Sequence, residues 1–270
     1  GYLNVYGTLR RCHKAEGHGT LDLAHALALS CNVYFYQVGV RLEIERIARY
    51  ARLLGLGGAT GIDLPNEVSG LIPSPEWKLR VLKTPWFPGE TVAVASGQGQ
   101  VLVTPMQMAR VAAAVANGGY LVRPHLLRPA AGSSGGAAGD RVPLDLRPAA
   151  VETGRGAMLA VGREGSGRRA QVPGLEVAGK TGSSQVVAHE RLERDKTAPA
   201  LQPHGWFLCF APADKPEIAM AVLVEHGRSG GESAAPVAGR ILARYFGLAG
   251  TPLPPGSLAP APVEIRADAE

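Results

Sequence analysis

Two apolar segments in the C-terminal third, residues 206–211 and 218–225, constrain the fold most strongly. Each is a run of aromatic, branched and small apolar residues with the length of a buried strand. Residues 212–216 lie between them and contain two prolines and an aspartate, which favour a turn. Because the connection is so short, the two segments are predicted to pair as an antiparallel hairpin.

A third predicted strand, around residues 175–187, carries a single lysine. Lys180 stands among small residues, with Gly179 and Gly182 close to it. Glycines remove side-chain bulk and allow another backbone or a ligand to approach. The pattern predicts an edge strand whose free backbone groups can pair with an extended peptide. The alternative is a lysine at a strand end that faces water.

Helical periodicity dominates the segments before these strands. Thr20 is predicted to cap the first helix, which ends near residue 29. Residues 57–100 are rich in glycine and proline and predict an irregular crossing. Further helices are expected near residues 44–54, 104–117, 151–161 and 235–246, the last burying Val237, Ile241, Leu242 and Tyr245.

Helices followed by strands and a closing helix predict an α+β domain with an antiparallel sheet. One domain is expected over residues 1–250. The proline-rich residues 251–270 are expected to form a flexible tail.

Composition excludes several classes of protein. With 46% hydrophobic and 19% charged residues, the chain is typical of a folded globular protein. The 28 basic and 23 acidic residues give a net charge of +5, without a dense basic run that would indicate nucleic-acid binding. No apolar stretch reaches the roughly 20 residues of a membrane span, and no signal peptide is evident. The chain begins at Gly1, so we expect its start, with any membrane anchor, to be missing.

The three cysteines are too few and too widely spaced to form a disulfide framework. Cys12 and His13, with His18 nearby, could suggest zinc, but no second ligand pair follows downstream. We therefore predict no metal site, a partly exposed Cys12 and two surface histidines. Cys31 is predicted to be a small packing residue.

Two short motifs carry the functional signal. Ser30 and Asn32 form an S-x-N motif at a turn between predicted helices, and Lys180, Thr181 and Gly182 form K-T-G on the predicted edge strand. This order resembles the second and third motifs of the penicillin-recognising serine acyltransferases. Ser30 and Asn32 could alternatively serve only as helix caps.

Longer segments extend the resemblance over most of residues 17–247, to the class B penicillin-binding proteins and especially their penicillin-binding protein 2 group. The similar segments are residues 17–19, 30–36, 60–64, 97–99, 104–109, 204–207 and 210–212. The resemblance implies the α+β fold shared by penicillin-binding proteins and serine β-lactamases, with its N-terminal part missing. It implies a peptidoglycan D,D-transpeptidase of cell elongation.

The resemblance also assigns roles to individual residues. Ser30 would relay a proton to the leaving nitrogen, Lys180 would orient Ser30, and Asn32 would bind the substrate amide. The hydroxyls of Thr181 and Ser183 would bind a terminal carboxylate, and the Ser183 N–H would supply half of an oxyanion hole. The candidate catalytic residues are Ser30, Asn32 and Lys180; the candidate substrate-binding residues are Thr181, Gly182 and Ser183.

One departure concerns the nucleophile. The family's first motif, S-x-x-K, is absent, because no serine of this chain has a lysine three residues later. Ser74 comes nearest, but Lys78 follows it by four residues. We expect the nucleophilic serine to lie outside this chain, which alone would be inactive. The alternatives are an inactive scaffold or binding module of this fold and, less favoured because no hydrolytic base is evident, a β-lactamase or β-lactam sensor.

The resemblance implies no metal or organic cofactor. It implies peptidoglycan stem peptides as substrates and β-lactam antibiotics as inhibitors. It also implies two partners, a glycan-polymerising membrane protein and an elongation scaffold. The expected location is the periplasmic, or extracytoplasmic, face of a bacterial inner membrane.

Overall fold

The structure is a computed structural model that describes residues 1–127, 141–186 and 198–248. The predicted tail at residues 251–270 lies outside these ranges, so the domain boundary at residue 250 stays a prediction. The strands are β1 (Tyr2–Val5), β2 (Thr8–Arg11), β3 (Tyr120–Val122), β4 (Arg141–Pro143), β5 (Ala178–Ser184), β6 (His204–Ala211) and β7 (Ile218–Val224). The helices are α1 (Leu23–Ala28), α2 (Asn32–Leu53), α3 (Pro75–Leu82), α4 (Pro88–Ala95), α5 (Pro105–Ala116), α6 (Pro148–Arg163) and α7 (Ala234–Tyr245).

A three-stranded antiparallel sheet in the order β5-β6-β7 forms the centre of the fold. The predicted hairpin is confirmed as β6 and β7. The predicted lysine strand is β5, which lies at the edge of this sheet, with Lys180 opposite Leu208. Together with the surrounding helices, the sheet confirms the α+β class.

Helices cover both faces of the sheet, which largely buries β6 and leaves β7 half-buried along its length. Phe207 and Cys209 point to the face covered by α7, and Phe210 points to the face that includes Ala116 of α5 and Met158 of α6. Alternate residues of β6 therefore enter opposite cores, as strand geometry requires. Cover on both faces explains why β6 and β7 appear as nearly continuous apolar runs rather than alternating ones.

Helix α7 packs on the sheet through its small residues rather than its large ones. The predicted burial of Ile241 and Tyr245 is wrong, because their side chains are 44% and 56% exposed. Leu242 is fully buried, as predicted. The remaining buried positions of this helix are Ala234, Ala235, Pro236, Ala238, Gly239 and Ala243.

The predicted irregular crossing at residues 57–100 contains two helices, so that prediction is wrong. Ser74 caps α3 by accepting a hydrogen bond from the Trp77 N–H at 3.2 Å. Pro75 and Pro88 occupy the first positions of α3 and α4. The same start signal correctly predicted the helix at Thr104-Pro105. Proline suits the first helical position because the backbone N–H that it lacks would have no partner within the helix there.

The helix predicted near residues 44–54 is confirmed as the second half of α2, after a break at Glu43. The N-terminal region differs from the sequence prediction in two respects. Helix α1 is capped by Asp22, which accepts a hydrogen bond from the His25 N–H at 2.8 Å, and not by Thr20. An unpredicted hairpin, β1 and β2, precedes both helices and turns at two positive-φ residues. None of the helices in the described part of the chain has the length and apolar character needed to cross a membrane.

Candidate active site

A cavity of about 950 Å³ opens beside the outer edge of β5. The turn between α1 and α2, the end of α4 and a loop after β7 form its other sides. All six residues selected from the sequence line this cleft: Ser30, Asn32, Lys180, Thr181, Gly182 and Ser183.

Ser30 lies in the turn between α1 and α2 with a left-handed backbone, φ 51°. This conformation costs a residue other than glycine roughly 1 kcal/mol or more and often occurs at functional sites. The Ser30 hydroxyl does not cap α2. Cys31 is the N-cap residue and makes no side-chain capping bond. The turn instead directs the Ser30 hydroxyl towards β5.

Lys180 is the partner of that hydroxyl. Its Nζ donates to Ser30 Oγ at 2.6 Å and to the Thr181 carbonyl at 2.8 Å. Burial lowers the pKa of Lys180 to about 8, because a buried ammonium loses its hydration. Both acceptors are neutral, and within the described ranges no carboxylate forms an ion pair with Lys180. A lysine tuned in this way can exchange a proton near neutral pH.

Asn32 is the first residue of α2, so its position in the cleft is fixed by the helix start. Cys31 beside it is buried in a small core with Cys12 and Ala26, as its predicted packing role requires. The S-x-N motif therefore directs its two polar residues into the cleft and its central residue into the protein.

Thr181 and Ser183 also have partners that the sequence did not predict. Ser166, in the loop after α6, lies with its Oγ 2.5 Å from Thr181 Oγ1. Gln98, in the loop after α4, donates from Nε2 to the Ser183 carbonyl at 3.0 Å. Both partners line the cleft. Residues 97–99 belong to the segments that resemble the family, and their glycines indicate a turn, but the hydrogen bond from Gln98 to β5 is visible only in the fold.

The Gln98 contact shows which way the β5 backbone faces. N–H and C=O groups of one strand residue point to the same side. Since the Ser183 carbonyl meets Gln98 and the Thr181 carbonyl meets Lys180, both carbonyls face the cleft. The N–H of Ser183 therefore faces the cleft as well, on the side that the oxyanion-hole prediction requires.

Two glycines allow neighbouring segments to approach closely. A Cβ on Gly179 would lie 2.5 Å from the Phe207 ring and 2.7 Å from the Leu208 carbonyl, so this glycine lets the β6 backbone approach, one of the two alternatives predicted from the sequence. Gly230 was not selected from the sequence. A Cβ there would lie 1.9 Å from the Trp206 carbonyl and 2.6 Å from the Gly182 carbonyl, so only glycine fits at this side of the cleft.

The cleft carries positive charge. Arg10 and Lys180 line it, and no aspartate or glutamate is found among its described lining residues. A cleft with cations and hydroxyls but without carboxylates favours an anionic ligand. It also lacks a carboxylate general base among those residues.

The near match to S-x-x-K lies elsewhere. Ser74 caps α3, and Lys78 donates to Glu90 Oε2 at 2.6 Å. The side chain of Lys78 is 7% exposed and lies over the Phe87 ring, 4.5 Å from its centroid. Neither Ser74 nor Lys78 lines the cleft. Both residues are accounted for by helix capping and an ion pair.

Cys12, His13 and His18 form a cluster whose possible ligand atoms lie within 4.8 Å of one another. Cys12 is buried, so the prediction of a partly exposed cysteine is wrong. Burial raises the pKa of its thiol, but hydrogen bonds from the backbone of Lys14, Asn32 and Val33 and from the Cys31 side chain outweigh it and leave the pKa below its usual value. Thiolate and imidazole are ligands that Zn²⁺ prefers, so this cluster could hold a metal ion.

The histidines of the cluster are shifted towards the neutral form. Burial lowers the pKa of His13, and nearby His18 and Lys180 lower it further. Burial also lowers the pKa of His18, with additional contributions from Lys14 and the N-terminal amine. Neutral imidazole is the form that binds metal.

Comparison with known proteins places this geometry in a family. Residues 4–243 match the model of the penicillin-binding protein transpeptidase domain. The peptidoglycan D,D-transpeptidase MrdA of Acinetobacter baumannii is 38% identical over 243 residues, which cover 87% of this chain and 36% of that protein. The chain thus spans little more than a third of the length of this relative.

Solved structures give the same result. Penicillin-binding protein 2 of Pseudomonas aeruginosa, crystallised with WCK 5153, superposes on this chain with a TM-score of 0.78 at 30% sequence identity. The superposition covers 97% of this chain and 56% of the P. aeruginosa chain. Penicillin-binding protein 2 of Helicobacter pylori, in its complex with MreC, superposes with a TM-score of 0.77 at 28% sequence identity. That superposition covers 92% of this chain and 44% of the H. pylori chain. The resemblance and the fold predicted from the sequence are confirmed, and the chain belongs to the penicillin-binding protein transpeptidase-domain family.

Proposed function

We propose that this chain forms one side of the active site of a peptidoglycan D,D-transpeptidase that acts in cell elongation. The observation that carries the proposal is the 2.6 Å contact between Lys180 Nζ and Ser30 Oγ, across a cleft bordered by the K-T-G strand. Family membership and the similarity to MrdA support the same reaction.

In the proposed reaction, a serine outside this chain gives its proton to the lysine of its own S-x-x-K motif and attacks the carbonyl carbon between two D-alanines of a stem peptide. The C–N bond breaks, an ester forms on the serine, and D-alanine leaves with a proton on its nitrogen. An amine of a second stem peptide then attacks the ester, and the serine oxygen regains a proton. The product is a crosslink.

Ser30 and Lys180 deliver the proton in this scheme. Ser30 hands its proton to the leaving nitrogen, and Lys180 returns one to Ser30 through the contact between them. The lowered pKa of Lys180, due to burial, allows this exchange near neutral pH. Asn32 binds the substrate amide and the Ser183 N–H binds the oxyanion, where one lost donor typically costs about 3 kcal/mol of transition-state stabilisation.

Substrate recognition relies on the hydroxyls of Thr181 and Ser183. They bind the terminal carboxylate of the stem peptide, or the carboxylate of a penicillin, in a cleft that is positively charged. Gly182, between these two residues, adds no side-chain bulk to the strand. Because the described lining of the cleft contains no carboxylate that could activate water, the ester persists until an amine arrives, which favours transfer over β-lactamase activity.

For the whole protein, we propose stem peptides as substrates, β-lactams as inhibitors and the periplasmic face of a bacterial inner membrane as its location. Penicillin-binding protein 2 of H. pylori has been solved in a complex with MreC. By analogy, we propose an elongation scaffold as one partner and a glycan-polymerising membrane protein as another.

Labelling of the full gene product with a fluorescent penicillin tests the proposal. The expected result is one stable covalent adduct per molecule, which an unlabelled penicillin prevents from forming. A protein without S-x-x-K upstream of residue 1, and without an adduct, would instead be an inactive scaffold of this fold. Rapid turnover of the penicillin would indicate a β-lactamase.

A further inference from the structure

We propose that Ser166 is a positioning residue of the carboxylate subsite, where it donates a hydrogen bond to Thr181 and so leaves the Thr181 proton free for the ligand. The inference rests on the proposed function. Its geometric basis is the 2.5 Å separation of Ser166 Oγ and Thr181 Oγ1 beside the cleft that both residues line.

The direction of this hydrogen bond decides what Thr181 can do. A hydroxyl has one proton to donate. If Thr181 donated to Ser166, that proton would be unavailable to a carboxylate in the cleft. With Ser166 as the donor, Thr181 accepts from one side and donates towards the ligand on the other, and each bond polarises the next.

Ser166 also connects the two motifs. Its N–H donates at 3.3 Å to the carbonyl of Ala28, the last residue of α1, two residues before Ser30. Ser30 accepts from Lys180, which also donates to the Thr181 carbonyl. These contacts form a closed circuit from the Ser30 turn through Lys180 and Thr181 to Ser166 and back. Displacement of Ser166 would therefore change the geometry at both motifs.

The fold does not depend on the Ser166 hydroxyl. The backbone of this loop is held independently, because Gly165 N–H donates to the Ala160 carbonyl at 3.1 Å and Gly167 N–H to the Val161 carbonyl at 3.0 Å. The only hydrogen bond described for Ser166 Oγ is the one to Thr181. Loss of the hydroxyl is therefore expected to affect the ligand and not the folding of the loop.

The test compares two probes on the full gene product, benzylpenicillin and its methyl ester, which lacks the carboxylate charge. For Ser166→Ala, acylation by benzylpenicillin at subsaturating concentration should slow about tenfold, because Thr181 loses the donor that orients and polarises its hydroxyl and its own bond to the charged carboxylate weakens. Acylation by the ester should change less than twofold. Ser166→Thr, which keeps a hydroxyl, should stay within about threefold of the parent with both probes.

A second comparison uses Thr181→Val, which removes the hydroxyl that Ser166 positions. Adding Ser166→Ala to Thr181→Val should cause no further loss with benzylpenicillin. Equal loss with both probes, no loss with either, or a full additional loss in the double variant would overturn the inference while leaving the proposed function intact. A parent protein that neither probe acylates would overturn the proposed function, and this inference with it.

Discussion

Two lysines of this molecule, the buried Lys78 and the half-buried Lys180, have opposite surroundings. The ammonium of Lys78 lies 2.6 Å from Glu90 Oε2 and against the Phe87 ring. The ammonium of Lys180 meets the Ser30 hydroxyl and the Thr181 carbonyl, which are neutral. Lys78 joins α3 to α4 away from the cleft, and Lys180 lines the cleft.

The comparison shows that the partner of a lysine in the protein interior decides whether it stabilises the fold or has a shifted pKa. A carboxylate beside a buried ammonium holds it in the charged form. Without such a partner, burial alone acts on Lys180 and lowers its pKa to about 8. Sequence spacing does not distinguish these cases, since Lys78 nearly completes an S-x-x-K motif but only Lys180 lines the cleft and contacts Ser30.

The largest expected effect follows from removal of the cleft lysine. Lys180→Ala in the full gene product should slow acylation by fluorescent penicillin by about 10² to 10⁴-fold, the usual contribution of a positioned proton-transfer group. Its fold should be retained, because Lys180 has no charged partner to leave behind. Lys78→Met is the matched control and should acylate at the parent rate. Similar rates for Lys180→Ala and the parent would refute the role of Lys180.

Removal of the other lysine should affect stability instead. Lys78→Met leaves Glu90 without its partner and should lower the free energy of unfolding by about 2 to 3 kcal/mol, somewhat less than for a fully buried pair because Glu90 is 31% exposed. Adding Glu90→Leu should recover only part of the loss, because the Glu90 carboxylate also accepts the Phe87 N–H at 2.7 Å and caps the start of α4. Urea denaturation measures both effects, and an unchanged midpoint for Lys78→Met would show that the pair is not structural.

The lowered pKa of Lys180 predicts a pH-dependent stability. Between pH 8 and 10.5, the unfolded chain binds more protons at this residue than the folded one, since the pKa falls from 10.5 to about 8 on folding. Stability should therefore rise with pH across this window. Subtracting the urea midpoints of Lys180→Met from those of the parent isolates the effect. The difference should increase from pH 8 to 10.5, and a flat difference would contradict the assigned pKa.

The smallest effect concerns the end of the lysine strand. Gln98→Ala removes the bond to the Ser183 carbonyl and should cost about 1 kcal/mol of local stability, the typical worth of one hydrogen bond. Hydrogen exchange should become faster at residues 183–185 and stay unchanged at Phe207 in the sheet. Equal protection in both proteins would show that Gln98 does not hold this end of β5.

The sequence predicts the central sheet and selects six residues that the fold brings to one cleft, because short-range patterns determine both. The apolar runs of β6 and β7 and the S-x-N and K-T-G motifs are visible within a few residues. Helices α3 and α4 are not predicted from the sequence, because the glycine and proline content of residues 57–100 indicates irregular structure. That composition conceals the helix start signals at Ser74-Pro75 and Phe87-Pro88. The burial of α7 is mispredicted because alanines, and not the larger Ile241 and Tyr245, face the sheet.

Contacts between distant segments could not be predicted from the sequence. Ser166 lies in no motif selected from the sequence, Gln98 lies in the similar segment 97–99 without an assigned partner, and only the folded chain brings them to Thr181 and Ser183. The environments of Lys78 and Lys180 likewise depend on tertiary packing. The sequence argues against a metal site at Cys12, His13 and His18 for lack of a second ligand pair, although folding brings all three together.

The most direct test of the account is peptide mapping by mass spectrometry after exposure of the full gene product to a penicillin. The central claim is that this chain supplies the lysine and hydroxyl side of an acyl-transfer cleft while the nucleophile lies outside it. We predict one adduct, on a serine outside residues 1–270, that forms in the parent and nearly disappears in Lys180→Ala. An adduct on a serine within residues 1–270, or one that forms equally fast in Lys180→Ala, would contradict the account.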